Sequence, residues 1–281
     1  MEIAHTLVFF RRQAHGKLPA TMRPHIIQVA DDFWNIRGSF KIGRVIDIGT
    51  QASLVRRGNG RFVFLDSYAL SDEVEREALE LTNGGKDVEA IVNVHPFHTV
   101  FARKMHERFP HAKLYGTARH VSRLPELPWK ELRTEDPELH AMFADDFDFT
   151  VPRGVDFISA NENVHFSSVL VLHRASKTIH VDDTLMYVRL PPMVRAFGLT
   201  DTMSFHPTLG KALEKRAGAA RDFRDWAEEL TERWQDAENL CAAHTATLTA
   251  PKNRGASIPD RLVKALGKAD RTLTAHARKY G

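Results

Sequence analysis

The chain of 281 residues sets 39 Lys and Arg against 36 Asp and Glu, with 43% hydrophobic and 27% charged residues, a profile ordinary for a globular protein. The positive excess is slight and interspersed, with no basic block, so a dedicated nucleic-acid binder is not expected. The single cysteine, Cys241, excludes an intrachain disulfide and a cysteine-rich zinc site, and no apolar run approaches the roughly 18 residues of a membrane span. Leu7-Val8-Phe9-Phe10 is also too short for a secretory core, and Arg11-Arg12 follow it rather than precede it. The expectation is a cytoplasmic protein without a membrane. Fifteen histidines direct the search toward a histidine-based site.

The first forty residues carry Trp34 and several aliphatic side chains and read as structured. Val45-Ile46-Asp47-Ile48-Gly49 and Ala52 to Arg57 read as strands, with a Gly58-Asn59-Gly60 turn leading into the buried strand Arg61 to Asp66. Ser71-Asp72-Glu73 caps a helix running to about Thr82, acidic in its first turn as the helix dipole favours, and Gly84-Gly85 ends it. The strand Ala90 to Val94 breaks at His95-Pro96, because proline offers no backbone donor to the ladder. Val100 to Phe109 is helical by the one-turn spacing of Phe101, Met105 and Phe109, and Ala112 to Gly116 returns to strand. This strand, helix and strand predict parallel neighbours. Residues 121–150, rich in Pro, Glu and Asp, read as a surface insertion. Strands then follow at Val155–Ser159, Ser168–His173 and Thr178–Val181, the last two joined as a hairpin through Arg174 to Lys177. Asp222 to Trp234 is an amphipathic helix, Leu240 to Leu248 a last strand and loop, and Ile258 to Lys279 a terminal helix. Two β-rich halves, each finishing in helix, predict an α+β, four-layer αββα sandwich. Residues 1–250 form its domain and residues 251–281 a helical extension packed on the same domain.

At the end of the 90–94 strand stands Asn93-Val94-His95-Pro96-Phe97-His98. This resembles the His-x-His-x-Asp-His motif of the metallo-β-lactamase superfamily, with Asn93 in place of the first histidine and Phe97 in place of the aspartate. Four further marks come in the family's order. Phe64-Leu65-Asp66-Ser67 resembles its early strand ending in aspartate. His165, ahead of the strand Val169 to Leu172, falls at the family's third ligand position. Asp183, in Ile179-His180-Val181-Asp182-Asp183, takes the place of the aspartate in Thr-Gly-Asp. Ala242-Ala243-His244 resembles the last histidine. The similarity covers roughly residues 25 to 250 and is to a branch in which the motif is degenerate.

The resemblance implies a metal site of the remaining donors His95, His98, His165, Asp183 and His244. Asp183 would be the catalytic carboxylate, with Asp182 beside it as an alternative or as a turn cap. Asp66 and Asn93 would support the ligands from behind. Asn93 is a poor zinc ligand and Phe97 offers no donor, so the donor set fits one zinc or iron ion, or none. In the first case the protein is a metal-dependent hydrolase of unspecified small-molecule substrate, the ion lowering the pKa of water and polarising a carbonyl or phosphoryl group. In the second it is a non-catalytic ligand- or partner-binding protein that keeps the fold; both readings leave an oligomer open. Gly-x-Ser-x-Gly, phosphate-loop and dinucleotide motifs are absent, and Cys241 has no evident paired base, so neither serine nor cysteine nucleophilic chemistry is expected.

Overall fold

The computed structural model describes residues 25–38, 41–42, 46–47, 49–190, 193–194, 197, 199–243, 246–253 and 255–281. The first sheet orders β1 (His25–Ala30), β2 (Phe33–Gly38), β5 (Thr50–Arg56), β6 (Phe62–Leu65), β7 (Val88–Val92) and β8 (Lys113–Tyr115) side by side. Between β2 and β5 lies a short hairpin of β3 (Lys41–Ile42) and β4 (Ile46–Asp47). The second sheet runs β15 (Thr247–Leu248), β14 (Asn239–Ala242), β11 (Thr178–Val181), β10 (Leu170–His173) and β9 (Phe147–Thr150), and a separate hairpin joins β12 (Leu185–Val188) to β13 (Thr202–Phe205). The helices are α1 (Asp72–Leu81), α2 (Ala102–Arg108), α3 (Ala118–Arg123), α4 (Pro137–Met142), α5 (Leu209–Ala212), α6 (Ala219–Arg233) and α7 (Ile258–Tyr280).

Period-two alternation along strands buried on both faces produces four layers. Val63 and Leu65 of β6 join Val92 of β7, Val171 of β10 and Val169, which precedes β10, in the apolar core between the sheets. Phe62 and Phe64 of β6 turn the other way, onto Val74 and Ala78 of α1 and Met105 of α2. In the second sheet Leu170, Leu172, Ile179 and Val181 face outward onto Phe223, Trp226 and Leu230 of α6 and Leu262 and Leu266 of α7. Each buried Val, Leu, Ile, Phe and Met side chain among these contributes about 1.5–3 kcal/mol of apolar burial. The Phe64 ring, 4.9 Å from that of Phe109, is one fastening between the first sheet and its helix layer.

The α1 cap forms as the sequence predicts: Ser71 Oγ accepts from Val74 N–H, and Gly84 and Gly85 follow with positive φ. Strands β7 and β8 are parallel across α2. Of the predicted strand at 45–49, Ile46–Asp47 is described as strand, while Val45 and Ile48 lie outside the described residues.

Residues 121–150 differ from the expected surface insertion. Leu127, Leu139, Phe143 and Phe147 are buried, α4 begins with Pro137 in its first turn, and Phe147–Thr150 is β9 at the edge of the second sheet. The acidic and proline residues of this stretch mask its apolar anchors, of which Leu139, Phe143 and Phe147 recur every four residues. Val155–Ser159 is no strand; Gly154, at φ 72°, turns the chain so that Val155 alone bridges to Leu213. The β12–β13 hairpin lies outside the predicted strands. Terminal helix α7 packs on α6 and β13 as part of the outer core. Among the described residues no helix is long and apolar enough to cross a membrane.

Candidate metal centre

Parallel pairing sets the site. Strands β6 and β7 run side by side and end together, delivering Asp66 and the loop from Asn93 to His98 to one edge. In the facing sheet β11 runs parallel to β14 and delivers Asp182 and Asp183. The two edges are stitched by the backbone, since Val169 N–H donates to Val94 O at 2.9 Å. Asp66 holds the turn: its Oδ1 accepts from Val94 N–H at 2.8 Å, and its own backbone sits at φ 63°, a conformation rare outside glycine.

His95, His98 and Asp183 converge. His95 Nε2 lies 3.2 Å and His98 Nε2 4.0 Å from Asp183 Oδ2, and the two imidazoles stack at 4.1 Å. On its other side His98 Nδ1 is 3.4 Å from Asp66 Oδ2 and 3.8 Å from Asp182 Oδ2. Two donor groups therefore share His98: His95, His98 and Asp183, and Asp66, His98 and Asp182, each with its atoms within 4.8 Å of one another. His95 Nδ1 accepts from Phe97 N–H at 3.1 Å, whereas its buried Nε2 has no hydrogen-bond partner of good alignment. With Nδ1 accepting, the ring proton sits on Nε2 and faces Asp183, so ligation through Nε2 would require that proton to leave; two imidazoles and a carboxylate converging this closely are nonetheless donor types that suit a divalent cation.

Burial, the largest influence on each, pushes His95 below the usual imidazole range and Asp66 above the usual carboxylate range. Asp182 is pushed up to about 7, by burial and then by the charge of Asp66.

The other predicted residues are placed differently. His165 stands apart from both groups: it is exposed, its Nε2 is 2.6 Å from Glu162 O, and its ring stacks on Phe97. Asn93 is fully buried, with both ends of its amide engaged: Oδ1 accepts from Ser67 Oγ at 2.6 Å and Nδ2 donates to Tyr115 O at 2.9 Å. It braces the strand end. His244 lies outside the described residues. Cys241 is buried and burial pushes its thiol up, which agrees with an inert role.

The structure also sets Asp182 within these donor groups and His180 and His120 beside them. Asp182 is fully buried, and His180 Nε2 lies 3.9 Å behind it. Burial pushes His180 to about 4 and His120 to about 3. A usable signal existed: the Thr-Gly-Asp pattern carries glycine where this chain has Asp182, so that carboxylate is an addition.

No protein-family model matches the chain, and no curated protein matches it in sequence. Solved structures do. The crystal structure of a metallo-β-lactamase from Erythrobacter litoralis superposes with TM-score 0.57 at 12% identity, covering 89% of this chain and 98% of that one. This chain has the metallo-β-lactamase fold. FIM-1 from Pseudomonas aeruginosa, in its mono-zinc form, aligns over 89% of this chain and 98% of its own at TM-score 0.55 and 11% identity. The metallo-β-lactamase from Pontibacter korlensis aligns over 87% and 99% at TM-score 0.53 and 10% identity. In this chain's version of the metallo-β-lactamase fold, the donors at the sheet edges are two imidazoles and three carboxylates, among the described residues.

Proposed function

We propose that the protein is a metal-dependent hydrolase working with one divalent ion, zinc or iron, held by His95, His98 and Asp183. The observation that carries this reading is the convergence of those three donors, His95 and Asp183 buried and His98 partly exposed. A neighbour in the fold, FIM-1, was solved in a mono-zinc form, which supports a one-ion arrangement. An ion bound there would supply Lewis acidity, polarising a carbonyl or phosphoryl group and making water acidic near neutral pH.

The chain's own residues do the rest. Asp66 Oδ2 faces His98 Nδ1 and favours the tautomer that leaves Nε2 as the ligating nitrogen. Asp183, mostly buried, sits beside both imidazoles and can accept a proton from a reacting water. Phe97 supplies an apolar wall where the family motif carries a carboxylate, so little turnover of generic β-lactam, thioester or phosphodiester substrates is expected.

Protein purified without added metal and then loaded with zinc should hold about one ion per chain. Hydrolysis of any substrate found by screening should vanish with a chelator and with Asp183→Asn. A metal-free binding protein is the second reading, favoured by Asn93, whose amide is wholly engaged in the scaffold, and by His165, which stands apart. Failure to take up metal after reconstitution would select it.

A further inference from the structure

The second donor group lies on the inner side of His98. Asp66 and Asp182 are both fully buried. Each has one oxygen tied to the scaffold: Asp66 Oδ1 accepts from Val94 N–H at 2.8 Å, and Asp182 Oδ1 accepts from Gln51 Nε2 at 3.2 Å. Each turns its other oxygen to His98 Nδ1, at 3.4 and 3.8 Å. The Asp182 carboxylate lies within hydrogen-bond reach of that of Asp66, and Asp182 Oδ2 meets no N–H or O–H donor although it is buried. Behind it His180 Nε2, equally buried and without a partner, lies 3.9 Å away, too far for a hydrogen bond. His180 Nδ1 is paired with Ser53 Oγ at 2.9 Å, so its ring is held in place. Arg37 uses Nη1 on Ala242 O at 2.6 Å and on Gln51 Oε1 at 3.2 Å, not on either carboxylate. Two buried carboxylates in contact with each other and facing one imidazole nitrogen are costly unless a shared proton or a cation sits among them.

We propose that Asp66, His98 and Asp182 form a second cation site, for a divalent first-row transition ion, on the inner side of the imidazole that the proposed hydrolytic site also uses. The set is two carboxylate oxygens and one nitrogen, which suits zinc, iron or manganese. A neutral imidazole ligates through one nitrogen while the other keeps its proton, so His98 serves one site at a time. The two sites are alternatives, and the chain holds about one ion wherever it sits. The inference shares His98 with the functional reading but does not need that reading to be correct.

The test uses the full chain, stripped with chelator and titrated with Co2+ alone, with elemental analysis and visible absorbance as readouts. The double variant His95→Ala/Asp183→Asn, which removes the outer donors, should still take up about one ion per chain, within about tenfold of the unmodified affinity. Adding Asp182→Asn should weaken uptake at least about a hundredfold, as loss of a ligating carboxylate does. If the double variant takes up no cobalt while the unmodified chain does, the inner site does not exist and the hydrolytic reading stands. If the triple variant binds as well as the double, the ion is elsewhere and the inference fails. If the unmodified chain binds none, both readings fail. Should the double variant not fold by circular dichroism, X-ray absorption of cobalt-loaded Asp183→Asn decides: one imidazole in the ion's shell supports the inner site, and two overturn it.

Discussion

The ring of Phe97 stacks on the imidazole of His165, with centroids 4.4 Å apart and planes 21° from parallel. Arg119 lies over the same ring at 4.3 Å, and Glu162 ties Arg119 to Arg123. The residue that replaces the motif's carboxylate thus also engages a histidine that the motif would use. Replacing Phe97 by Asp should release His165 and add a carboxylate next to His98. Metal affinity should rise about tenfold, measured by competition with a chromophoric chelator. Unchanged affinity would mean that the new carboxylate does not reach the ion.

Asn93→His, in contrast, should harm the protein. The Asn93 side chain is fully buried between Ser67 and Tyr115, and a larger ring there loses both hydrogen bonds and overpacks the strand end. A loss of about 3 kcal/mol is expected in urea unfolding. A near-neutral result would show that the strand end can open to admit a ligand.

Arg37 is buried between the sheets, where Nη1 joins Ala242 O to Gln51 Oε1, and Gln51 in turn reaches Val181 O and Asp182. Arg37→Ala removes a donor from each and leaves Asp182 without its nearby positive charge. It should cost about 3–5 kcal/mol, read as a lower denaturation midpoint. Arg37→Met, which keeps the volume, should recover part of that loss.

His173 supplies a pH-dependent stability term away from the site. It is buried, 5.4 Å from the ring of Phe147 and with Nδ1 2.8 Å from Ser176 Oγ, and burial pushes it down to about 4. The unfolded chain titrates this group near 6.5, so between about 6.5 and 4 it binds the proton more readily than the native protein does. Stability is therefore complete above about 6.5 and falls with falling pH, by about 3 kcal/mol by pH 4. His173→Gln should flatten that part of the stability profile. An unaltered slope would assign the acid sensitivity to other groups.

Local patterns sufficed for much of the fold. The Ser71 cap, the glycines at 84 and 85, the β10–β11 hairpin and helices α6 and α7 follow from short-range chemistry: capping, positive φ and apolar periodicity. Residues 121–150 did not, because their apolar anchors are spaced among acidic and proline residues and declare themselves only when packed. At the site, the order of motifs was enough to bring forward His95, His98 and Asp183 as candidates. Which side chains face one another depended on strands distant in sequence, β6 beside β7 and β11 beside β14. That pairing turns Asp66 and Asp182 toward His98, engages Asn93 in the scaffold and leaves His165 stacked on Phe97. A sequence states which donors exist; the burial and direction of each lone pair are set by long-range packing.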